Sequence, residues 1–208
     1  MYEPPHFRED DLDAQHGLIE AYPLGLVISA GPEGVIANPI PFILYRGEGA
    51  RGTLRCHLAK ANPQWQALEA NAAALVVFQG SQSYVTPSWY ATKAETEKVV
   101  PTWNYAIVQA RGPARIVTDP AWLHANVSAL TDQEEGRRQQ PWAVTDAPEP
   151  FIASQLKGIV GVEIPIETIS GKFKASQNRP VADRIGVAEG LAETNPQMAA
   201  MVRERGGI

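Results

Sequence analysis

The sequence predicts an α+β fold, in the form of a barrel or sandwich of antiparallel strands with helices between or around them. Short runs rich in β-branched and apolar residues follow one another along the chain, and turns that contain glycine separate the first three. The predicted helices do not alternate regularly with these runs, which argues against repeated β-α-β units. Because no Gly-x-Gly-x-x-Gly follows a predicted strand, a Rossmann nucleotide site has no support.

About seven strands are predicted from these runs. The first three, at 24–30, 34–45 and 51–58, flank turns at Gly31–Gly34 and Gly47–Gly52, so they are expected to form consecutive hairpins. The remaining strands are expected at 74–79, 83–87, 106–117 and 159–169.

Three helix starts carry the same chemistry, because Asn62, Asp119 and Asn195 are each followed by proline. A side-chain oxygen can cap the helix there, and proline at the first helical position loses no hydrogen bond. A helix is therefore expected after each, the third being a short terminal helix over 196–205. Apolar residues at helical spacing predict a further helix over roughly 9–21.

Three segments have neither strand nor helix patterning, yet they are rich in polar and aromatic residues: 86–105, 131–150 and 171–180. Long connections inside a compact domain are usually either functional or disordered. Each of the first two contains tryptophan, and disordered tracts are poor in aromatic residues. Functional loops are therefore expected.

Length and composition limit the class of protein. The 208 residues are expected to form a single domain over 1–208, with a helical C-terminal extension at about 180–208. The longest apolar runs, such as 72–78, are far shorter than the roughly 20 residues of a membrane span, and the N-terminus lacks a signal-peptide pattern. A cytoplasmic protein without a membrane segment is expected. The net charge of −5 and pI near 5.4 make direct DNA binding doubtful.

Conventional catalytic groupings are weak. The four histidines are scattered without metal-ligand spacing, so no metal site is expected. Cys56 and His57 are neighbours on a predicted strand, where their side chains would point to opposite faces and could not form a thiolate–imidazole pair. Any chemistry is therefore expected to be that of a cofactor, and whether the chain is an enzyme stays open.

Three motifs could hold a cofactor with a phosphate and a flat ring. His57, Lys60 and Asn62 lie where a strand is expected to end and a helix to begin, which could bind an anion. Alternatively, Asn62 only caps its helix and Lys60 is solvated. The segment PTWNY (101–105) offers an apolar wall with hydroxyl and amide partners, or a buried aromatic corner.

The third motif, KFKASQNR (172–179), places Lys172, Lys174 and Arg179 beside serine and amide side chains. This composition fits either an anion site or a solvated basic turn.

The strings MYEPPHF (1–7), HLAKANPQW (57–65), YVTPSWYATK (84–93), KVVPTWNY (98–105) and GKFKASQNR (171–179) follow in order along the chain. In these strings the sequence resembles the PaiB-type family of FMN-binding proteins, often described as negative transcriptional regulators. The resemblance implies an FMN-binding split barrel, which is a six-stranded antiparallel Greek-key β-barrel with flanking helices. It also implies a homodimer with FMN at the subunit interface.

The cofactor-binding residues that the resemblance implies come from four motifs. They are His57, Lys60 and Asn62; Ser88, Trp89 and Tyr90; Thr102, Trp103 and Asn104; and Lys174, Ser176, Gln177 and Asn178.

One position departs from the family pattern. Where the family usually has His-x-Pro-Phe, this chain has Pro39-Ile40-Pro41-Phe42, which replaces an imidazole by a ring without a donor. If that histidine contacts flavin in relatives, Pro39 weakens FMN binding here.

The resemblance implies a flavin-dependent oxidoreductase or flavin carrier, or a redox-responsive regulator that acts on transcription indirectly. A haem-binding or haem-degrading split barrel is the alternative, with His57 or His124 as a possible axial ligand.

Overall fold

The structure is a computed structural model that describes residues 1–31 and 34–208. The described strands are β1 (Arg8–Glu9), β2 (Leu24–Gly31), β3 (Gly34–Pro41), β4 (Ile43–Tyr45), β5 (Thr53–Ala59), β6 (Ala73–Val85), β7 (Thr102–Pro113), β8 (Arg115–Val117), β9 (Ile159–Pro165) and β10 (Thr168–Lys174). The described helices are α1 (Leu12–Ala21), α2 (Gln64–Ala70), α3 (Thr92–Thr96), α4 (Pro120–Glu135), α5 (Glu149–Leu156), α6 (Val181–Leu191) and α7 (Pro196–Gly206).

The strands form two sheets. A six-stranded sheet has the order β1-β10-β7-β6-β2-β3, and a four-stranded sheet has the order β4-β5-β9-β8. The pairings β2–β3 and β5–β9 are antiparallel ladders, running from Leu24 opposite Pro41 to Gly31 opposite Gly34, and from Thr53 opposite Pro165 to Ala59 opposite Ile159.

By their contacts the described residues form two compact units. The first unit consists of Met1–Leu18, Gln79–Val108 and Ser170–Ile208, and the second unit consists of Ile19–Phe78 and Gln109–Ile169.

In the second unit, strand alternation separates a buried face from a polar one. Leu54, Cys56 and Leu58 on β5 are at most 1% exposed and belong to the core. The intervening Arg55 is hydrogen-bonded to Glu163 on β9, directly opposite it in the ladder. A Cβ at Gly161 would collide with the ring of Trp122 from α4, so only glycine lets that indole lie against the sheet.

In the first unit, α6 and α7 pack together over the end of β6. Val85, Val187, Leu191 and Met198 are completely buried in this core. Burial of such side chains contributes about 1.5–3 kcal/mol each relative to exposure, which is what keeps this helical hairpin folded.

A helix follows each of the three predicted starts, but the predicted proline at the first helical position is confirmed only for α4 and α7, because Pro63 precedes α2. Asp119 Oδ2 accepts a hydrogen bond from Trp122 N at 2.7 Å, and Asn195 Oδ1 accepts one from Met198 N at 3.0 Å. Asn62 Oδ1 accepts from Gln64 N at 3.0 Å, where α2 begins. The predicted opening helix is α1.

Several strand predictions were wrong in their boundaries. The runs 74–79 and 83–87 form one strand, β6, because the polar Gly80–Ser83 stretch stays extended. The run 34–45 divides at Phe42, and its two parts enter different sheets as β3 and β4. Residues 32 and 33 of the predicted turn Gly31–Gly34 lie outside the described residues.

The three predicted loops contain more regular structure than expected. PTWNY continues into β7 from Thr102, and the KFK of the late motif is the end of β10. Helix α5 begins at Glu149, at the C-terminal end of the predicted loop 131–150. No side chain caps its first turn, so the sequence carries no capping signal for this helix. Cross-strand hydrogen bonds impose extended backbone on sequences whose local composition suggests turns.

Candidate functional site

Two motifs meet in the first unit through a buried amide–hydroxyl pair. Asn104 on β7 is completely buried, and its Nδ2 donates to Ser176 Oγ at 2.9 Å. Ser176 Oγ donates in turn to Asn104 Oδ1 at 3.2 Å. Ser176 has a left-handed backbone, with φ of 62°, which turns the chain directly after β10.

Gln177 holds this turn together by local bonds. Its Oε1 accepts from Ala175 N at 2.7 Å, and its Nε2 donates to Phe173 O at 2.6 Å. The amide is therefore occupied by backbone, and its role in the free protein is to shape the turn. Asn178 is exposed, with no side-chain hydrogen bond to any described residue.

Lys174 ties the same turn to PTWNY. Its Nζ donates to Thr102 Oγ1 and to the carbonyl of Trp103, the second at 2.6 Å. Burial lowers the pKa of Lys174, and the positive charges of Lys172 and Arg179 lower it further. The structure thus brings together six of the predicted site residues: Thr102, Trp103, Asn104, Lys174, Ser176 and Gln177.

An exposed aromatic pair lies beside this cluster. The rings of Tyr84 on β6 and Trp103 on β7 meet edge to face, with centroids 6.1 Å apart. They are 47% and 53% exposed, which leaves an apolar surface open to a planar ligand. Sequence reasoning did not single out Tyr84, although it faces the same side of the sheet once β6 is seen as continuous to Val85.

The PSWY motif serves a structural purpose at its centre. Residues 87–89 form a single 3₁₀ turn, and Thr86 Oγ1 accepts from Ser88 N at 3.2 Å. A Cβ at Gly190 of α6 would collide with the indole of Trp89, so the missing side chain makes room for it. Tyr90 is 3% exposed, and burial raises the pKa of its phenol. Only Ser88 of the three predicted residues is exposed.

The remaining predicted residues belong to the second unit. His57 is half-buried on β5, and its Nδ1 lies 3.4 Å from Asn126 Nδ2 on α4. Burial lowers the pKa of His57, which favours the neutral imidazole. Lys60 is exposed, and its carbonyl accepts from Trp65 Nε1 at 3.0 Å. Helix α2, which follows this motif, has seven residues.

Pro39 lies on an apolar face formed by β2 and β3. The alternation of both strands places eight apolar residues on that side, and we call them the outer apolar face: Leu24, Leu26, Ile28, Ala30, Val35, Ala37, Pro39 and Pro41. Leu24 is 63% exposed and Val35 is 75% exposed, and Pro39 pairs with Leu26. β3 is an edge strand, which tolerates prolines that cannot donate to a further ladder.

Residues 1–168 match the family model FMN_bind_2, which describes an FMN-binding domain. The chain belongs to this family. It is also 31% identical over 209 residues to the protease synthase and sporulation protein PAI 2 of Bacillus subtilis, covering 99% of this chain and 98% of that protein. An uncharacterized protein of Emericella nidulans is 35% identical over 245 residues, covering 99% and 98%. Membership of the PaiB-type FMN-binding family is thereby confirmed.

Two solved structures resemble this chain in fold. A conserved hypothetical protein of Mycobacterium tuberculosis superposes with a TM-score of 0.61 at 13% identity, covering 86% of this chain and 94% of that one. The FAD and heme binding protein of Mycobacterium smegmatis gives a TM-score of 0.59 at 18% identity, covering 80% and 73%. The predicted α+β split-barrel class is confirmed.

The residues of the first unit fit the cofactor of this FMN-binding family. FMN needs a flat apolar wall with a few hydrogen-bonding groups, together with cations for its phosphate. Trp103 and Tyr84 supply exposed aromatic surface, and Lys174 lies next to them as a cation. Within residues 1–31 and 34–208, no helix is both long and apolar enough to cross a lipid bilayer.

Proposed function

We propose that this chain is a flavin-dependent oxidoreductase or flavin carrier that holds FMN against Trp103. The observation that carries the proposal is the position of this exposed indole. Its own carbonyl is bonded to Lys174, and its ring contacts Tyr84, so apolar surface and positive charge lie side by side. Bound FMN would supply the hydride or electron transfer, while the chain supplies binding and orientation.

The buried groups near Trp103 would keep that surface rigid. The Asn104–Ser176 pair fixes β7 against the turn after β10, and the Lys174–Thr102 bond fixes the adjoining backbone. A site whose supporting side chains are locked by hydrogen bonds loses less entropy when a ligand binds.

Ser88, Asn178, His57, Lys60 and Asn62 are proposed as additional contacts on the basis of the family motifs. Ser88, Asn178 and Lys60 are exposed and therefore accessible to a ligand. His57 and Asn62 already take part in contacts within the second unit, with Asn126 and Gln64, so their proposed role rests on the motif alone.

A homodimer with FMN at the subunit interface is part of the same proposal. The outer apolar face supports it, since eight apolar side chains with none charged are unusual on a surface that remains in water. The net charge of −5 argues that any role in transcription is indirect, through a protein partner or through flavin chemistry.

Purification and a flavin titration test the proposal. We expect a yellow protein with flavin absorbance bands. Trp103→Ala should raise the Kd for FMN about 10-fold or more, because it removes roughly one stacking contact. Trp142→Ala is the matched control, because Trp142 is similarly exposed but belongs to the second unit.

Absence of FMN binding in the wild type would refute the proposal, and a Soret band would support the haem alternative. FMN-dependent oxidation of NAD(P)H would then separate an oxidoreductase from a carrier or sensor. An FMN-loaded protein that does not oxidise NAD(P)H would refute the proposal that the chain is an oxidoreductase.

A further inference from the structure

Three cations in the first unit lie close together, and we call them the cation cluster: Lys172, Lys174 and Arg179. Lys172 is only 8% exposed, and the other two are partly buried. The ammonium groups of Lys172 and Lys174 lie 5.3 Å and 6.0 Å from the same Tyr105 ring centre, and the charges of Lys172 and Arg179 both act on Lys174. Like charges held close together repel one another, which is unfavourable unless something compensates them.

Residues 1–31 and 34–208 provide no counterion for the cation cluster. Among the described residues, no carboxylate forms an ion pair with any member of the cation cluster. Glu9, on the strand next to Lys172, is paired with Arg205. Asp183 instead accepts hydrogen bonds from Thr92 N and Oγ1, each at 2.9 Å.

Aromatic rings surround the cluster and give only partial compensation. Lys172 Nζ lies 5.4 Å from the ring centre of Tyr2 and 5.3 Å from that of Tyr105. Lys174 Nζ lies 6.0 Å from the same Tyr105 ring, so the two ammonium groups share one ring. Arg179 stacks on Tyr90 at 4.6 Å. Cation–π contacts attract a cation to a ring but do not neutralise its charge.

Lys172 and Lys174 differ in how many of their hydrogen-bond donors have partners. Lys174 donates to Thr102 and to the Trp103 carbonyl, whereas Lys172 Nζ has no hydrogen-bond partner among the described residues. An ammonium group with three free donors at the end of a largely buried side chain is a strong site for an oxyanion.

We propose that the cation cluster binds the carboxylate or phosphate group of a small molecule other than FMN, with Lys172 and Arg179 as its principal contacts. The aromatic surroundings suit a ligand with a flat apolar body. The idea that this ligand is the substrate of a flavin reaction rests on the proposed function. The existence of the anion site does not depend on the proposed function. Lys174, bonded to Trp103, would place the anion next to the surface assigned to the flavin.

Thermal unfolding of the FMN-loaded protein tests the site with two probes, inorganic phosphate and benzoate. We expect either anion to raise the Tm of the wild type, because a ligand that binds only the folded state stabilises it. In anion-free buffer, Lys172→Met should itself raise the Tm by about 2–4 °C, since it removes a repelled charge. The same variant should lose the increment that the anions produce.

Lys98→Met is the matched control, because Lys98 is an exposed lysine of the same unit without an ion pair to a described residue. Lys98→Met should change neither the Tm in anion-free buffer nor the increase in Tm that the anions produce. A lower Tm of Lys172→Met in anion-free buffer would show that the lysine is structural, and it would overturn the proposal. An unchanged anion response in the double variant Lys172→Met, Arg179→Met would overturn it as well.

A comparison of FMN with riboflavin identifies the source of the anion. We expect the double variant to bind both flavins within 2-fold of the wild type. If its affinity for FMN falls 10-fold or more while that for riboflavin is unchanged, the cluster holds the phosphate of FMN and the proposal of a separate ligand is wrong. If the wild type binds no FMN, the proposed function fails, while the phosphate and benzoate titrations of the same protein still decide the anion site.

Discussion

Asn104 and Ser176 are joined by two hydrogen bonds, since one buried hydroxyl bonds both the nitrogen and the oxygen of one buried amide. The two residues are 72 positions apart in the chain and come from two different motifs. Their pairing joins PTWNY to the late loop without using a charge. It therefore serves as the support on which Trp103 and Lys174 are placed.

Removing one member of this pair should lower stability and flavin affinity together. Asn104→Ala leaves the Ser176 hydroxyl buried without a partner, which costs about 1–3 kcal/mol. We expect urea unfolding to report that loss and a flavin titration to report weaker FMN binding. Asn178→Ala, on the exposed part of the same loop, should leave stability unchanged, and equal stability of the two variants would contradict the supporting role.

Gly190 should be intolerant of a side chain. Because its Cβ would enter the space of the Trp89 indole, Gly190→Ala should destabilise the protein by about 1–3 kcal/mol. Gly17→Ala is the control: it also lies in a helix, nothing lies within 4 Å of its Cβ position, and it should raise stability by up to about 1 kcal/mol. Combining Gly190→Ala with Trp89→Ala should recover part of the loss, and strict additivity would argue against the predicted collision.

Glu163 should make stability depend on pH. Burial alone would raise its pKa, but hydrogen bonds from Arg55 and Arg115 outweigh this and lower it. A carboxylate with a lowered folded-state pKa stabilises the protein above its unfolded pKa of about 4.3, and this contribution disappears as pH falls through the folded value. Glu163→Gln should therefore lose about 2 kcal/mol near pH 7 and much less near pH 3.

Unfolding free energies at a series of pH values would check this. Glu69→Gln is a suitable control, because Glu69 is exposed and forms no ion pair with a described residue. A loss for Glu163→Gln that is as large at pH 3 as at pH 7 would show that the pair acts through packing and not through charge.

The outer apolar face should determine the oligomeric state. Leu26→Arg places a charge in the middle of that face, and burying an unpaired charge in an interface is strongly unfavourable. We expect light scattering after gel filtration to show a dimer for the wild type and a monomer for the variant. A monomeric wild type would refute the proposed dimer.

Pro39 is expected to limit flavin affinity. Pro39→His restores the imidazole of the family pattern and should lower the Kd for FMN, measured by flavin fluorescence. Pro41→His is the matched control, since it lies two residues further along the same face of β3. If Pro39→His has no effect, or if both variants have the same effect, the departure at position 39 does not explain flavin affinity.

The sequence predicted best the features that depend on neighbouring residues. The caps at Asp119 and Asn195 follow from an oxygen and a proline adjacent in the chain, and both helices begin where this chemistry places them. The β-branched and apolar runs at 24–30 and 51–58 likewise predicted β2 and β5. Predictions failed at Gly80–Ser83 and at PTWNY, where composition suggested a turn or loop and pairing with neighbouring strands keeps the backbone extended.

The sequence by itself determined the family, the helix starts, most strands and the residue types from which a flavin site can be made. Only the tertiary structure decided which of them meet. It paired Asn104 with Ser176, packed Trp89 against α6, and placed Lys172 without a counterion among the described residues. Caps and β-branched or apolar runs are local and can be recognised from adjacent residues. Contacts between distant segments depend on the register of strands and the packing of helices, which no local pattern specifies.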